Sequence, residues 1–305
     1  MRQPSLILLS LLVCVPLTPA AWAISFQTRL EKVEWQVEGD QFECRLSQPV
    51  SNFGVGEFVR RAGEQVTFRL QSRERWLDTG SATLLAAAAP WQPGRGDINL
   101  GLVPVSAAPV ALNSSQEQGA RLLTSMLEGR SPLVRHRTAQ GRDRVEVRLL
   151  PVKFQKAYDD YLECTAGLLP VNFDQVRQSQ VGFPGGGVAL DSMGQAKLDI
   201  ILDFLRADPS VNRIQLDGHA DNSGNRLTNR DLSRRRALAV MEYLVAQGVP
   251  AEQITVRFHG ERYPLVPNNS EANRAKNRRV TMLLDRAPEA DVPAPQAAAQ
   301  STSAD

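Results

Sequence analysis

Leu216-Asp217-Gly218-His219-Ala220-Asp221, then Asn229, then Leu232-Ser233-Arg234-Arg235-Arg236-Ala237, and finally Asn277-Arg278-Arg279-Val280 decide how this chain is read. Ile214 and Leu216 alternate as in a half-buried strand that should end at Gly218, which leaves His219 to Gly224 as a loop carrying Asp221 at the sheet edge. A long helix follows. On it Asn229, Ser233 and Arg236 fall at i, i+4 and i+7, one stripe of one face. Asp221 is therefore expected to face Arg236 across a shallow cleft. A carboxylate and a guanidinium held apart in this way suit a zwitterion, because the acid takes an ammonium and the planar guanidinium fork takes a carboxylate.

These segments, in this order, resemble the peptidoglycan-binding site of the OmpA-like family. The resemblance implies that Asp221 and Arg236 hold the free amino-acid centre of meso-diaminopimelate in a cell-wall stem peptide, with Asn229 and Arg278 as supporting contacts. Arg278 is preferred to Arg279 because alternation with Val280 sends Arg279 to the opposite sheet face. Ala220 stands where the family often has Thr, so a hydroxyl contact is absent there.

Outward from this stretch, the pattern from Val171 reads strand, helix, strand, helix, strand, with a last strand near the end. Leu198, Ile201, Leu202 and Leu205 set one face of a helix stopped by Pro209, and Val240, Tyr243 and Leu244 set the inner face of a longer one ending at Gly248. Ile254, Val256 and Phe258, then Val280, Met282 and Leu284, supply the last two strands. The expected fold for 171–286 is an OmpA-like α/β sandwich with helices packed on one mixed sheet. Residues 287–305 are Ala, Pro, Ser and Gln with scattered acids, too poor in apolar groups to offset ordering entropy, and read as a disordered tail.

The chain opens with Arg2, an apolar run from Leu6 to Leu17 and the small-residue ending Ala21-Trp22-Ala23, which reads as a signal peptide over 1–23, cut before Ile24. Lipidation at Cys14 is disfavoured because Val13 stands where a small residue is required. After cleavage Cys44 and Cys164 remain, and two cysteines in an exported chain imply one disulfide. The 35 basic and 33 acidic residues are nearly balanced, which gives no support to nucleic-acid binding.

Residues 24–170 are strand-rich, so the whole is expected to be two domains, an N-terminal β-rich (α+β) domain and the C-terminal sandwich. Val33, Trp35 and Val37, a turn at Gly39-Asp40, and Phe42, Cys44 and Leu46 read as a hairpin, with Val66, Phe68 and Leu70 as a third strand. Ala120, Leu123, Met126 and Leu127 have helical spacing, Val145, Val147 and Leu149 alternate, and Phe154, Ala157, Tyr158, Tyr161 and Leu162 mark an amphipathic helix ending at Cys164.

This part resembles the N-terminal domain of the MotY-like flagellar motor proteins of the T ring. The resemblance runs through Cys44 with Pro49 and Phe53, Ala89-Pro90-Trp91-Gln92-Pro93-Gly94, the Arg144 to Leu149 strand, and Phe154-Gln155 with Tyr158 leading into Cys164. It implies a periplasmic, non-catalytic protein with a disulfide in its N-terminal domain, attached by that domain to the basal body and by the other to peptidoglycan. The implied partners are a MotX-like T-ring protein, the stator complex and further copies of the chain. A general envelope anchor joining another outer-membrane or secretion assembly to the wall is the alternative. A hydrolase targeted to the wall would need a metal or nucleophile cluster in 24–170, and none is apparent.

Other chemistry is not indicated. His219, Asp221 and His259 lack a further ligand at zinc spacing, Gly185-Gly186-Gly187 lacks the Lys and Ser/Thr of a phosphate loop, and His136 has no nucleophile beside it. No enzyme activity, metal or cofactor is expected.

Overall fold

The computed structural model describes residues 23–89, 94–137 and 144–286. The signal segment up to residue 22, Pro90 to Pro93 of the Pro/Gly pattern, and the tail from 287 lie outside the described residues. By contact, the chain groups into two compact units, one formed by residues up to 37, 46–59 and 66–159, the other by 38–45, 60–65 and everything from 160.

The first half of the chain supplies β1 (Ala23–Gln27), β2 (Gln36–Gly39), β3 (Glu43–Val50), β4 (Gly54–Arg61), β5 (Thr67–Ser72), β6 (Gly80–Ala87), β7 (Ile98–Val105), β8 (Val110–Asn113), α1 (Gln116–Leu127), β9 (Ser131–Arg137), β10 (Arg144–Arg148) and α2 (Phe154–Ala166). Its ten strands form one sheet in the order β1-β10-β9-β6-β7-β8-β5-β4-β3-β2. β1 joins β10 in parallel, whereas β4, β5, β6, β7, β9 and β10 pair antiparallel. The expected hairpin is β2 and β3, but Val33 and Trp35 lie ahead of it, after a 3-10 turn over Leu30–Lys32. The core of this unit holds Leu46, Phe58, Phe68, Leu70, Leu84 and Leu133, all fully buried.

Helix α1 starts with a capping box in which the Ser115 hydroxyl accepts from the Gln118 N–H and the Gln118 carboxamide accepts from the Ser115 N–H. It packs close because Gly119 has no side chain, and a Cβ there would come 2.6 Å from the Val66 carbonyl. Leu122, Leu123 and Met126 form its buried stripe, and Leu127, expected on that stripe, is 43% exposed. In α2 the buried side is Phe154, Ala157 and Tyr161, while Leu162 turns out to solvent. The expected disulfide is formed, with the Cα atoms of Cys44 and Cys164 6.1 Å apart. It ties the start of β3 to the last turn of α2.

The second half opens with α3 (Phe173–Val176) and continues through β11 (Gln178–Gly182), α4 (Ser192–Ala207), β12 (Val211–Gly218), α5 (Arg226–Ala246), β13 (Ile254–Phe258), α6 (Glu271–Asn277) and β14 (Arg279–Arg286). The strand order is β11-β14-β12-β13, with β12 parallel to β13 and antiparallel to β14. This is the expected mixed sheet with helices on one face. Leu198, Ile201, Leu202 and Phe204 of α4, and Ala237, Val240 and Leu244 of α5, bury against Ile214, Leu216, Val280, Met282 and Leu284. Of the alternate strand positions, Arg213 and Leu283 are exposed and Gln215, Asp217 and Thr281 are half-buried. Phe42, from the β2–β3 turn, also packs on this core, edge to face with Phe204 at 5.9 Å.

The two cysteines stand 120 positions apart, so in the chain-entropy account their bond restrains the unfolded chain by about 4 to 5 kcal/mol. Cys44→Ser with Cys164→Ser is expected to lower the unfolding free energy by about 2 to 5 kcal/mol in urea titrations, and reductant should do the same to the native chain but not to the variant.

Candidate functional site

The expected site residues gather where β12, α5 and the approach to β14 meet. Helix α5 can lie this close to the strand end because of Gly218: a Cβ there would sit 2.0 Å from the Ser233 carbonyl oxygen. The chain then turns, with the Ala220 N–H donating to the Gly260 carbonyl at 2.9 Å. Asn225 caps α5, its side-chain oxygen accepting from the Thr228 N–H at 2.9 Å. The buried face of α5 is polar in its first half, with Asn229, Ser233 and Arg236, and apolar in its second, with Ala237, Val240 and Leu244.

The direct partner of Asp221 is Arg278, not Arg236. Arg278 Nη1 donates to Asp221 Oδ2 at 2.8 Å, and both side chains are buried. The same guanidinium donates to Glu271 Oε1 at 2.7 Å and to the carbonyls of Phe183 and Pro184 at 3.3 and 2.6 Å. The second Asp221 oxygen accepts from the Ser223 N–H at 2.8 Å. Burial raises the Asp221 pKa, but the hydrogen bonds from Arg278 and Ser223 outweigh it and hold the carboxyl below its ordinary value.

Arg236 is fully buried and spends its N–H groups on backbone carbonyls: Gly187 at 2.9 Å, Gly186 at 2.6 Å and His219 at 3.2 Å. The shallow cleft expected between it and Asp221 is thus closed over by the glycine segment, whose role is to accept hydrogen bonds rather than merely to connect strand and helix. Burial pulls the Arg236 guanidinium down to about 10, against the Asp221 charge that raises it, so it stays charged at neutral pH. Among the described residues no carboxylate lies within 4.0 Å of it. Of five N–H donors it uses three, leaving two for an anion.

Asn229 is buried and donates to the Gly224 carbonyl at 3.1 Å and to Glu261 Oε2. Arg278 enters the site for a reason other than strand alternation: it is the C-cap of α6, one residue ahead of β14. Arg279 is buried on the other side, donating to the carbonyls of Asn277 and Tyr263. Asn277 shapes the preceding loop, its Oδ1 accepting from the N–H groups of Leu265 and Val266. Sequence reasoning did not find Glu271, Glu261 or the Gly186 and Gly187 carbonyls. A signal existed for Glu271, which stands at i, i+7 from Arg278 behind a Ser270 cap, once α6 is recognised.

His219 and His259 stack at 5.2 Å, and His259 Nε2 pairs with Asp217 Oδ1 at 2.8 Å. Among the described residues no group of three His, Cys, Asp or Glu side chains is placed to hold a metal ion. Arg235 pairs with Asp231 on an exposed face, and His136 contacts the Ser81 and Asp78 carbonyls.

The site is therefore a buried carboxylate and two buried guanidiniums at the mouth of an OmpA-type sheet. Two family models match the chain: MotY N-terminal domain over residues 26–170 and OmpA family over residues 182–278. The C-terminal part is an OmpA-like domain. The chain as a whole joins that domain to a MotY N-terminal domain, and it is 27% identical over 261 residues to the sodium-type flagellar protein MotY of Vibrio parahaemolyticus, covering 84% of this chain and 88% of that protein. The OmpA part alone is 41% identical over 85 residues to the peptidoglycan-associated lipoprotein of Pseudomonas putida, 28% of this chain and 50% of that protein. A solved peptidoglycan-associated lipoprotein from Burkholderia pseudomallei is 27% identical at a TM-score of 0.33, covering 35% of this chain and 89% of that one.

Arg236→Ala should cost about 2 to 4 kcal/mol of stability in denaturant titrations, because it leaves buried carbonyls and a void behind. Burial, then the Arg279 and His259 charges, push His219 down from 6.5 to about 4. With the folded pKa depressed, the unfolded chain takes up the proton first, so this contribution is intact above pH 6.5 and is lost as pH falls towards 4. Urea titrations across that window should show a shallower decline for His219→Asn than for the native chain.

Proposed function

We propose that this protein is a non-catalytic, periplasmic component of the flagellar motor that grips peptidoglycan through its C-terminal domain and attaches to the basal body through its N-terminal domain. The observation that carries the reading is the joining, in one chain, of a MotY N-terminal domain to an OmpA-family domain, with 27% identity to a sodium-type flagellar MotY across 84% of the sequence. In that position the protein anchors or recruits stator units so that they resist torque, together with a MotX-like ring protein and further copies of itself.

The site chemistry supports a zwitterionic ligand. Asp221 is ionised and receives the ammonium of the diaminopimelate centre, while Arg236, a buried cation with no carboxylate within 4.0 Å among the described residues, receives the carboxylate on its two remaining N–H groups. Asn229 and Arg278 hold the loop and carboxylate in position. Gly185 and Gly186 border open space, and the cover over Arg236 there is backbone alone. Charge-assisted contacts of about 1.5 to 3 kcal/mol each make binding to one stem modest, and retention on the wall arises from many copies on many stems.

Because Arg236→Ala also removes structure, Asp221→Asn and Arg236→Lys are the cleaner variants. Sedimentation with purified sacculi should retain the native protein and lose both variants, each still folded by circular dichroism. Purified basal bodies should retain all three. Unchanged co-sedimentation of Asp221→Asn would sink the wall-binding assignment, and absence from basal bodies under gentle extraction would favour a general envelope anchor.

A further inference from the structure

Beside the Asp221 site lies a cavity of about 530 Å³ whose charge is almost wholly basic. Arg226 and Arg230, one turn apart on α5, and Arg262, in the loop after β13, line it with Phe258 and His259. Among the described residues none of these three arginines has a carboxylate within 4.0 Å. Elsewhere in this unit Arg206, Arg235, Arg274 and Arg286 reach Asp203, Asp231, Glu271 and Asp208, whereas Arg177, Arg213, Arg234 and Arg257 stand singly without an acid within 4.0 Å among the described residues; the cavity differs in bringing three such arginines together. Glu261 is the one acid lining the cavity, and its Oε2 is engaged by Asn229.

Two of the guanidiniums are held by ring stacking rather than by charge. Arg230 lies 5.3 Å over the Phe258 ring and Arg262 lies 5.3 Å over Tyr263. Stacking occupies the face of the guanidinium and leaves its N–H edge for oxygen ligands. The cavity is also joined to the Asp221 loop: the Gly260 carbonyl accepts from the Ala220 N–H, the Gly260 N–H donates to the Ser233 hydroxyl at 3.0 Å, and Asn229 bridges Gly224 to Glu261. Gly260 has a φ of +58°, and a Cβ there would lie 3.2 Å from the Arg230 nitrogen, so the loop sits tightly against α5.

We infer that this cavity is a second anion subsite, in which Arg226, Arg230 and Arg262 take a free carboxylate of the same stem peptide whose zwitterionic centre is held by Asp221 and Arg236. The inference rests on the wall-binding reading of that site. A stem peptide carries carboxylates beyond the diaminopimelate centre, and a domain that engages one of them as well reads the peptide rather than an isolated amino acid.

The test uses the mature chain and two probes measured by calorimetry: L-alanyl-γ-D-glutamyl-meso-diaminopimelate, and the same tripeptide with its glutamyl and C-terminal carboxyls amidated and the distal centre left free. The native protein should prefer the free tripeptide by about tenfold, roughly one charge-assisted contact. Combining Arg226→Gln, Arg230→Gln and Arg262→Gln should abolish that preference while leaving the affinity for the amidated peptide unchanged. A triple variant that keeps the preference, or a native protein that shows none, overturns the subsite. Asp221→Asn tests the reading beneath it: lost binding of the amidated peptide supports that reading, and unchanged binding sinks it while the arginine preference still decides the subsite. Failure of the native protein to bind either peptide overturns both.

Discussion

The Arg278 guanidinium, buried with the Asp221 carboxylate, is the contact on which the C-terminal architecture turns. Taking two charges out of water costs several kcal/mol each unless every hydrogen-bonding group finds a partner. Here the cation reaches Asp221, Glu271 and the carbonyls of Phe183 and Pro184, so one side chain joins the end of β11, the loop after β12 and the start of α6. Arg236 does the same for the glycine segment and the His219 carbonyl. The loops that carry the site are thus held by charge and hydrogen bonds, and the apolar core beneath holds the sheet and helices.

Helix α5 shows the same division along its own length. Its second half presents Ala237, Val240 and Leu244 to the core, and its first half presents Asn229, Ser233 and Arg236. A buried polar stripe contributes little hydrophobic stabilisation, so the first half depends on its Asn225 cap, on the close seat against Gly218 and on the Ser233 hydroxyl that accepts from Gly260. A helix built in this way is stable at one end and specific at the other.

Much of this was legible in the sequence. The C-terminal strands and helices, the disulfide and the gathering of Asp221, Asn229, Arg236 and Arg278 followed from periodicity, cysteine count and motif resemblance. What stayed hidden has physical causes. β6, β7 and β8 lie inside a wide sheet, and Leu84, Leu85, Ala86 and Ala87 are buried consecutively, so they show no alternation. α6 is seven residues long and rich in polar groups, too short for a periodic signal, which hid Glu271 and the capping position of Arg278. The exchange of partners, Arg278 rather than Arg236 on Asp221, depends on the path of two loops. A helical stripe says which residues share a face but not which loop closes over them.

The bond between Cys44 and Cys164 also has a consequence for how the chain carries force. Tension entering ahead of residue 44 and leaving through the sheet of β11 to β14 crosses from one cysteine to the other through a covalent link. Residues 45–163, which include β4 to β10 and α1, are then bypassed along the covalent chain. Of the strands within that loop, β10 is still engaged from outside it, through its parallel pairing with β1.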